Sequence, residues 1–436
     1  MNYDEALEWL FNVRRFGPER TLGPTKHILD LMGTPQESFG AIHVGGTNGK
    51  GSTSAMIASI LHAAGYKVGL YTSPHLEDFR ERIRVGGEKI PAEDVTRLLN
   101  EIEVLFNRMI DYPEPMPLRF FDIVTAVCFK YFKEQGVDYG VIEVGLGGRL
   151  DATNVLNPLV SVITNIGFEH VNILGPTLED IAYEKGGIIK SNSVLVTAEE
   201  RDNVFNVFKE KADSIGTKVV RVTETTTSEK KSASYKGQVF NLATGNARYD
   251  ALLIPLFGEH QIINASTAVS AVEELQKKDL AITDEAVRNG LRDVYWPARL
   301  EVVSKKPLVV LDCAKDAEAT EAVRRTIQSD ARARGRLIAV VSMSSDKNIE
   351  GMIENIAQVA DHFIITKHSV TARAAEPEVL IKEINKARKT YQVQLESDIA
   401  FETAVNQAGE GDMVLVIGSV YLAGDARSYF ADRLIA

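Results

Sequence analysis

The chain has 436 residues, of which 44% are hydrophobic and 25% charged, a composition typical of a globular protein with two or three domains. Its formal net charge of −11 argues against general nucleic-acid binding, although local lysines and backbone amides can still bind an anionic ligand. No apolar run approaches the roughly 20 residues that a membrane span needs, and the opening MNYDEALEWLFNVRRFG predicts a charged amphipathic helix and not a signal peptide. We therefore expect a cytoplasmic protein without membrane or nucleic-acid partners. Its two cysteines, Cys128 and Cys313, lie in apolar strings and are expected to be buried thiols.

The first half of the chain alternates short apolar runs with helical patterns. Residues 41–44 (AIHV) predict a buried strand, residues 45–51 a glycine-rich loop, and residues 52–64 a helix with an apolar stripe that ends at Gly65. A second strand, KVGLYTS, follows, and the alternation continues through YGVIEVG (139–145), VSVITNIG (160–167) and SVLVTA (193–198). This order predicts an α/β fold with a parallel sheet covered by helices on both faces.

Two later regions depart from this pattern. Residues of about 220–255 are polar and rich in β-branched side chains, which predicts a small antiparallel insert with its TTTSEKKS stretch as an exposed turn. After Trp296, the strand-like runs PLVVLD, RLIAVVSM, HFIITK and DMVLVIG alternate with helical segments. We therefore predict a first domain over residues 1–296 and a smaller α/β domain over residues 297–436.

The loop GTNGKGS, residues 46–52, resembles a phosphate-binding loop in which Gly51 stands between Lys50 and the hydroxyl residue Ser52. It is a damaged nucleotide site, a chance cluster of glycines, or a distinct kind of ATP loop. A glycine-rich turn between a strand and a helix N-terminus aims backbone N–H groups at one anion, while the lysine neutralises phosphates and the hydroxyl reaches Mg²⁺. The alternative is a tight turn with a solvated lysine. The strand before the loop and the apolar helix after it favour nucleotide binding.

Three further side chains follow strands of the same predicted sheet. Glu143 opens EVGLGGRLDATN at the end of one strand, His170 lies just past the next, and Lys185 lies on the helix that follows. A carboxylate at the C-terminal edge of a sheet can hold a metal, whereas a salt-bridged glutamate and a structural histidine are the ordinary alternatives. Because a glutamate and a phosphate loop share this edge of the sheet, a ligand role for the histidine stands beside the structural alternative, and the residues alone leave both open.

These segments, in this order, carry a resemblance to the folylpolyglutamate synthase/dihydrofolate synthase family of the Mur ligase superfamily. The chain resembles that family nearly from end to end, and the extra glycine of the ATP loop is normal in it. The matching blocks are HVGGTNGKGS, SPHLEDFRERIRVGG, LRFFDIVTAVCF, EVGLGGRLDATN, FEHVNILGPTLEDIAYEKGGIIK, GEHQIINA, WPARLE and GSVYLAGDAR. The resemblance implies a P-loop, Mur-ligase-like central domain with a parallel sheet, followed by a smaller Rossmann-like α/β C-terminal domain.

The resemblance also implies roles for individual residues. It places ATP against Thr47, Asn48, Gly49, Lys50, Gly51, Ser52 and Asn264, with Arg299 and Asp312 closing from the second domain. It implies two Mg²⁺ sites held by Ser73, Glu143, His170 and Ser52, allows a K⁺ ion, and makes Lys185 a lysine that is carbamylated to steady the second metal. Lys50, His170 and Lys185 are thus the implied catalytic residues. The pterin side is implied for Leu22, Gly23, Pro24, Thr25, Lys26, Arg82, Arg119, Phe120, Phe121, Asp122, Leu150, Asp151 and Ala152.

The implied activity is an ATP-dependent carboxylate–amine ligase, expected to be a monomer. The carboxylate of dihydropteroate or of a (tetrahydro)folate attacks the γ-phosphorus of ATP, and L-glutamate then attacks the resulting acyl phosphate. Positioning and electrostatics supply most of the catalysis in such a reaction. No general base for the amine of glutamate is identifiable from the sequence.

One segment departs from the family pattern. The family usually carries Asp-Gly-Ala-His-Asn-Pro after the first strand of the second domain, where this chain has Asp312, Cys313, Ala314, Lys315, Asp316 and Ala317. A lysine in place of histidine changes charge and reach. Four interpretations stay open: tolerated drift with Lys315 serving the phosphates, loss of one of the two family activities, a ligase for a different pterin acid or amine, or a nucleotide-binding regulator without catalytic activity.

Overall fold

The computed structural model of the chain describes residues 1–14, 21–110, 117–234, 236–329 and 335–431. The last three residues of the predicted N-terminal helix and the last five of the predicted second domain lie outside these ranges. Within them, the apolar runs form strands because their side chains are buried on both faces of a sheet, as Val141 and Ile142 are.

The larger sheet has eight strands in the order β4-β3-β2-β5-β1-β6-β7-β8. The strands β1, β2, β5, β6, β7 and β8 run parallel, and β3 and β4 add an antiparallel edge. In chain order they span Gly40–Gly45 (β1), Val68–Tyr71 (β2), Ile83–Val85 (β3), Glu88–Lys89 (β4), Tyr139–Glu143 (β5), Val160–Ile163 (β6), Val194–Thr197 (β7) and Lys218–Arg221 (β8).

Helices cover both faces of this sheet. They span Tyr3–Asn12 (α1), Gly23–Leu31 (α2), Lys50–Ala63 (α3), Ala92–Ile110 (α4), Phe120–Glu134 (α5), Val171–Leu174 (α6), Leu178–Gly186 (α7), Asp202–Ser214 (α8), Val222–Thr225 (α9), Glu259–Gln276 (α10) and Asp284–Asp293 (α11). The helices α3, α10 and α11 share one apolar core, and α1, α2, α4 and α5 share a second on the opposite face. The apolar stripe predicted for the first core helix is fully buried in α3 at Met56, Ile57, Ile60 and Leu61.

A three-stranded antiparallel sheet lies inside the range where the sequence placed an insert. Its strands are Thr227–Ser234 (β9), Gly237–Ala243 (β10) and Arg248–Ile254 (β11), in the order β11-β10-β9. The prediction of an exposed turn at TTTSEKKS was wrong from Thr227 onward. That stretch is exposed as predicted, but its backbone pairs with β10 as an edge strand.

The smaller sheet has six strands in the order β12-β13-β17-β14-β15-β16, parallel except for the β12–β13 pair. The strands are Glu301–Lys305 (β12), Leu308–Leu311 (β13), Leu337–Val341 (β14), His362–Ile365 (β15), Thr390–Val393 (β16) and Met413–Ile417 (β17). Its helices are Ala317–Gln328 (α12), Ile349–Ala357 (α13), Pro377–Lys386 (α14), Ser397–Gln407 (α15) and Val420–Ala431 (α16). The predicted α/β class with two parallel-rich sheets is confirmed; the boundary at residues 296 and 297 stays a prediction.

Across the described ranges, no helix is long and apolar enough to cross a bilayer. Cys128 and Cys313 are both free and buried, as expected from their apolar surroundings.

Candidate functional site

The glycine-rich loop connects the end of β1 to the start of α3 with little free space around it. Gly46 and Gly49 have φ angles of 130° and 83°, which side-chain-bearing residues rarely adopt. A Cβ at Gly46 would lie 1.9 Å from Thr164 Oγ1, and one at Gly49 would lie 2.3 Å from Asn264 Oδ1. The loop therefore needs glycine at both positions, and Asn264 is held directly against it.

The segment after β6 fixes this loop through the backbone. Thr47 N–H donates to the carbonyl of Asn165 at 2.8 Å, and Asn48 N–H donates to Asn165 Oδ1 at 2.8 Å. Thr164 Oγ1 donates to the carbonyl of Asn48 at 2.6 Å. The sequence placed residues 164–167 in the strand, but β6 ends at Ile163 because these residues turn to hold the loop.

Lys50 bonds to the loop itself, and Gly51, the extra glycine between Lys50 and Ser52, packs against Trp296. Lys50 Nζ donates to the carbonyls of Gly46 at 3.0 Å and Thr47 at 2.9 Å, so its ammonium lies inside the curve of the loop. A Cβ at Gly51 would lie 2.6 Å from the indole ring of Trp296, which packs on the first turn of α3. The extra glycine is thus the residue that makes room for Trp296.

Glu143 lies at the end of β5, beside the loop, and is 5% exposed. Its Oε2 accepts the backbone N–H of Ser73 at 3.0 Å. Burial raises the pKa of Glu143, and the positive charge of Lys50 opposes that rise. Ser52, 1% exposed, lines the same cavity as Ser73 and Glu143. A carboxylate and two hydroxyl residues therefore line the same cavity as Lys50.

Lys185 on α7 forms a buried ion pair that the sequence did not reveal. Its Nζ lies 2.5 Å from Glu169 Oε1 and donates to the carbonyl of Gly46 at 2.7 Å. Burial lowers the pKa of Lys185 to about 8 despite the neighbouring carboxylate. Burial works to raise the pKa of Glu169, but the charges of Lys185 and Lys50 bring it down to about 2. Lys185 thus donates to the glycine-rich loop, and its pKa lies below the ordinary value of a lysine.

His170 follows Glu169 and has a left-handed backbone, with φ of 46°, at the start of α6. Burial lowers its pKa to about 4, with a further contribution from the charge of Lys347. His170 is not among the described residues that line the main cavity. No cluster of three or more His, Cys, Asp or Glu side chains suited to a metal occurs in the described part of the chain. The predicted ligand set, with two such residues and two serines, stays a prediction.

The second sheet contributes Arg299 and Asp312 to the same cavity, which has a volume of about 520 Å³. Arg299 Nη1 donates to the carbonyl of Ala298 at 2.9 Å and lies against Cys313 Sγ. Asp312 accepts backbone N–H groups from Leu300 at 2.8 Å and from Ala314 at 2.7 Å. Both predicted residues therefore face the cavity, and the carboxylate of Asp312 shapes the turn that follows β13.

The residues predicted for the pterin side form hydrogen-bonded and stacked groups around α5. Asp122 accepts from Thr25 Oγ1 at 2.7 Å and from Arg119 Nη2 at 2.8 Å. The guanidinium of Arg82 lies 5.5 Å from the centre of the Phe120 ring. The structure thus brings together predicted residues from three distant stretches of the sequence.

The remaining predicted pterin-side residues frame these groups. Phe121 packs against Gly145 and stacks on Tyr71, with ring centres 5.8 Å apart. Asp151 accepts the N–H of Leu146 at 2.9 Å. Of the others, Leu22, Gly23, Pro24 and Lys26 lie at the start of α2, and Leu150 and Ala152 flank Asp151. Gly23 and Lys26 are exposed.

Two domain models of known families match the chain. The Mur ligase middle domain matches residues 121–272, and the Mur ligase glutamate ligase domain matches residues 298–420. The first matched region holds β5–β8 of the larger sheet and all of the three-stranded sheet, and the second holds all six strands of the smaller sheet.

Full-length relatives and solved structures extend this similarity. The chain is 36% identical over 429 residues to the dihydrofolate synthase/folylpolyglutamate synthase of Bacillus subtilis, covering 98% of each chain. It is similar to the structure of Mycobacterium tuberculosis folylpolyglutamate synthase complexed with ADP, with a TM-score of 0.90, 31% identity and coverage of 99% of each chain. It is also similar to Escherichia coli FolC in complex with DHPP and ADP, with a TM-score of 0.89, 28% identity and coverage of 99% of this chain and 98% of that one. The resemblance found in the sequence is confirmed, and the chain belongs to the dihydrofolate synthase/folylpolyglutamate synthase family of Mur ligases.

Proposed function

We propose that the chain is an ATP-dependent ligase that adds L-glutamate to dihydropteroate, to (tetrahydro)folate, or to both, through an acyl phosphate. The observation that carries the proposal is the shared cavity, in which the phosphate loop of one sheet faces Arg299 and Asp312 of the other. An acyl phosphate hydrolyses in water, and a cleft walled by two sheets shields it. The B. subtilis relative, named for these two activities and aligned over 98% of its length, supports the identity of the substrates.

Nucleotide binding rests on the loop at the start of α3. The backbone N–H groups in the first turn of α3, which begins at Lys50, suit a triphosphate, whereas those of Thr47 and Asn48 already donate to Asn165. Lys50 Nζ would exchange its bonds to the loop carbonyls for phosphate oxygens. The M. tuberculosis and E. coli relatives were both solved with ADP, which supports nucleotide binding by this chain. Asn264 lies against Gly49, at the side where we place the adenine.

The donors around Glu143 fit Mg²⁺. Mg²⁺ prefers oxygen ligands and takes one or two carboxylates together with substrate phosphates. Glu143 accepts one backbone hydrogen bond, from Ser73, and lines the cavity with the hydroxyl residues Ser52 and Ser73. Those three residues would hold the ion, which when bound offsets charge on the phosphate oxygens. K⁺ remains a second candidate cation.

The second proposed Mg²⁺ site depends on the chemical state of Lys185. As a protonated amine, Lys185 is paired with Glu169 and cannot act as a metal ligand. Its pKa of about 8 leaves a fraction uncharged near neutral pH, and an uncharged amine can take up CO₂. The carbamate that forms would add an oxygen ligand next to His170, as the family resemblance implies.

The reaction needs mainly positioning from this chain. Lys50 and the N-terminus of α3 hold the γ-phosphate while the acceptor carboxylate attacks its phosphorus and ADP leaves. The Arg119–Asp122 group and the Arg82–Phe120 stack, beside the loop that carries Ser73, would hold the pterin end of the acceptor. The amine of glutamate then attacks the acyl carbon, and phosphate leaves as the amide forms.

A turnover assay with a panel of acceptors tests the proposal. Purified protein is incubated with ATP and Mg²⁺, with glutamate or another amino acid as the amine, and with dihydropteroate, tetrahydrofolate or a different pterin acid as the acceptor. We expect ADP release and a product one glutamyl residue heavier with at least one of the first two acceptors. Turnover confined to another acid or amine would instead support the alternative raised by residues 312–317. ATP binding without turnover on any acceptor would support the non-catalytic alternative.

A further inference from the structure

Lys315 lies in the segment that departs from the family pattern, and the structure holds its backbone firmly across the cavity from the phosphate loop. On one side, both oxygens of Asp312 accept backbone N–H groups. On the other, Asp316 Oδ1 accepts Ala319 N–H at 2.8 Å as the cap of α12 and accepts Asn48 Nδ2 at 3.2 Å. Because Asn48 belongs to the phosphate loop, residue 315 is fixed next to that loop.

The ammonium of Lys315 has no hydrogen bond and no ion pair within 4 Å among the described residues, although Lys315 is half-buried. The other cations of the cavity are partnered: Lys50 donates to two loop carbonyls and Arg299 to Ala298. An unpaired charge with reduced access to water is costly. The Lys315 ammonium is therefore placed to bind an anionic ligand in the cavity.

The surroundings of Lys315 indicate which anion this is. Lys315 lines the cavity together with the cations Lys50 and Arg299. The carboxylates of the same cavity include Glu143, Glu318 and Asp312, and both oxygens of Asp312 accept backbone N–H groups. The charge of Lys315 acts on Glu143, Glu169 and Lys185, which the proposed function places at the metal ions and the transferred phosphate. Asn264, the proposed adenine residue, lies instead against Gly49. The ammonium therefore faces the end of the loop where the terminal phosphate and the acceptor meet.

We propose that Lys315 is a second phosphate-binding lysine, supplied by the smaller sheet, that binds the transferred phosphoryl group as the γ-phosphate of ATP and then as the acyl phosphate. The proposal rests on the proposed function and adds a residue to that site. A lysine donates as a mobile point charge with three N–H donors, so it can follow the phosphorus as its bond to ADP is replaced by a bond to the acceptor oxygen. The competing ligand for this cation is the α-carboxylate of the incoming amino acid.

Calorimetric titration with a non-hydrolysable ATP analogue and with ADP, both with Mg²⁺, separates these ligands without any turnover. We expect Lys315→Gln to weaken binding of the analogue by about tenfold or more, the usual effect of losing a charged hydrogen bond, and to change ADP binding less than about twofold. Lys315→Arg should retain most of the affinity for the analogue. Lys306→Gln is the matched control, because Lys306 is an exposed lysine of the same sheet paired with Glu410, and it should change neither affinity.

Unchanged ADP binding also shows that the variant is folded. An equal loss of affinity for ADP and for the analogue would overturn the proposal, since Lys315 would then act only through the electrostatic potential of the cavity and not on the terminal phosphate. Unchanged affinity for both nucleotides, with or without a raised KM for glutamate, would overturn it as well, and a raised KM would assign Lys315 to the amino-acid carboxylate. A wild-type chain that binds the analogue but ligates no acceptor would contradict the proposed function. The titration would still decide whether Lys315 binds the terminal phosphate.

Discussion

Arg427 and Glu77 form an ion pair, with Arg427 Nη1 2.7 Å from Glu77 Oε2, that joins α16 to the segment following Ser73. Ser428 Oγ donates to the other oxygen of Glu77 at 2.8 Å. The same guanidinium donates to Glu301 at 2.9 Å and to the hydroxyl of Tyr295 at 2.6 Å. One side chain thus connects the smaller sheet, the linker before it, and the loop that leads to the proposed metal and pterin residues.

We expect this pair to favour the arrangement in which Arg299 and the phosphate loop share a cavity. Arg427→Met and Glu77→Gln should each lower kcat/KM for ATP, and the double variant should be little worse than either. Because both side chains are about a quarter exposed to solvent, the coupling energy should be modest, about 1 kcal/mol. A double-mutant cycle in kcat/KM measures it. Strictly additive losses would mean that the two residues act independently.

The contact between Gly51 and Trp296 makes a second prediction. Gly51→Ala forces the indole to move, because the new Cβ would lie 2.6 Å from it. Overpacking of this kind costs about 1–3 kcal/mol, and the cost should appear as weaker ADP binding and a lower melting temperature. Gly245→Ala is the control, since nothing lies within 4 Å of its added Cβ. Normal nucleotide binding in Gly51→Ala would show that Trp296 can move freely.

Glu169 makes a prediction about acid stability. Its folded pKa of about 2 lies below the ordinary value of 4.5, so its contribution is complete above about pH 4.5 and is lost as the pH falls towards 2. Glu169→Gln should therefore be less stable than wild type above pH 4.5, and the difference in melting temperature should shrink between pH 4.5 and 2. Glu350→Gln, which disrupts an exposed pair with Lys386, should show no such trend. A difference that is constant with pH would contradict the assignment.

The sequence predicted the fold well wherever burial leaves an apolar run. The strands β5, β7, β13, β14, β15 and β17 fall inside the predicted segments, and β1 extends one residue beyond the predicted residues 41–44 at each end. Parallel strands that are covered on both faces are apolar along most of their length. The edge strand β9 was missed because every residue of Thr227–Ser234 is exposed and its pairing with β10 leaves no apolar pattern. The end of β6 was misplaced because Thr164 and Asn165 turn to bind the loop.

The part of the site that could be predicted is the part formed by residues close together in the sequence. Lys50 and its loop follow from a strand, a glycine turn and a helix in succession. The pairing of Lys185 with Glu169 and the packing of Trp296 on Gly51 could not be predicted, because each joins residues whose separation in the sequence has no periodic signal. The sequence shows only that Glu169 directly precedes His170. The burial of Lys185, which makes a partner carboxylate necessary, is known from the structure alone.

The two lysines that touch the phosphate loop should differ in what their loss does. Lys50→Ala removes the cation inside the loop, so we expect the affinity for ADP and for an ATP analogue to fall by about a hundredfold, in line with a lost charged hydrogen bond to phosphate. Lys185→Gln keeps an N–H donor for Glu169 and for the carbonyl of Gly46 but cannot form a carbamate. It should bind ADP within about threefold of wild type and lose ligation.

A direct readout of the modification completes this comparison. With ¹³C-labelled bicarbonate, wild type should show a carbamate carbon signal that is missing in Lys185→Gln and present in Lys190→Gln, whose lysine is also partly buried but lies away from Glu169. Since only the uncharged amine takes up CO₂, the signal should grow as the pH rises towards about 8, the pKa of Lys185. Full ligation by Lys185→Gln would remove Lys185 from the chemistry and leave it as a structural partner of the loop. Weak ADP binding by the same variant would instead mean that its contact with Gly46 shapes the phosphate site.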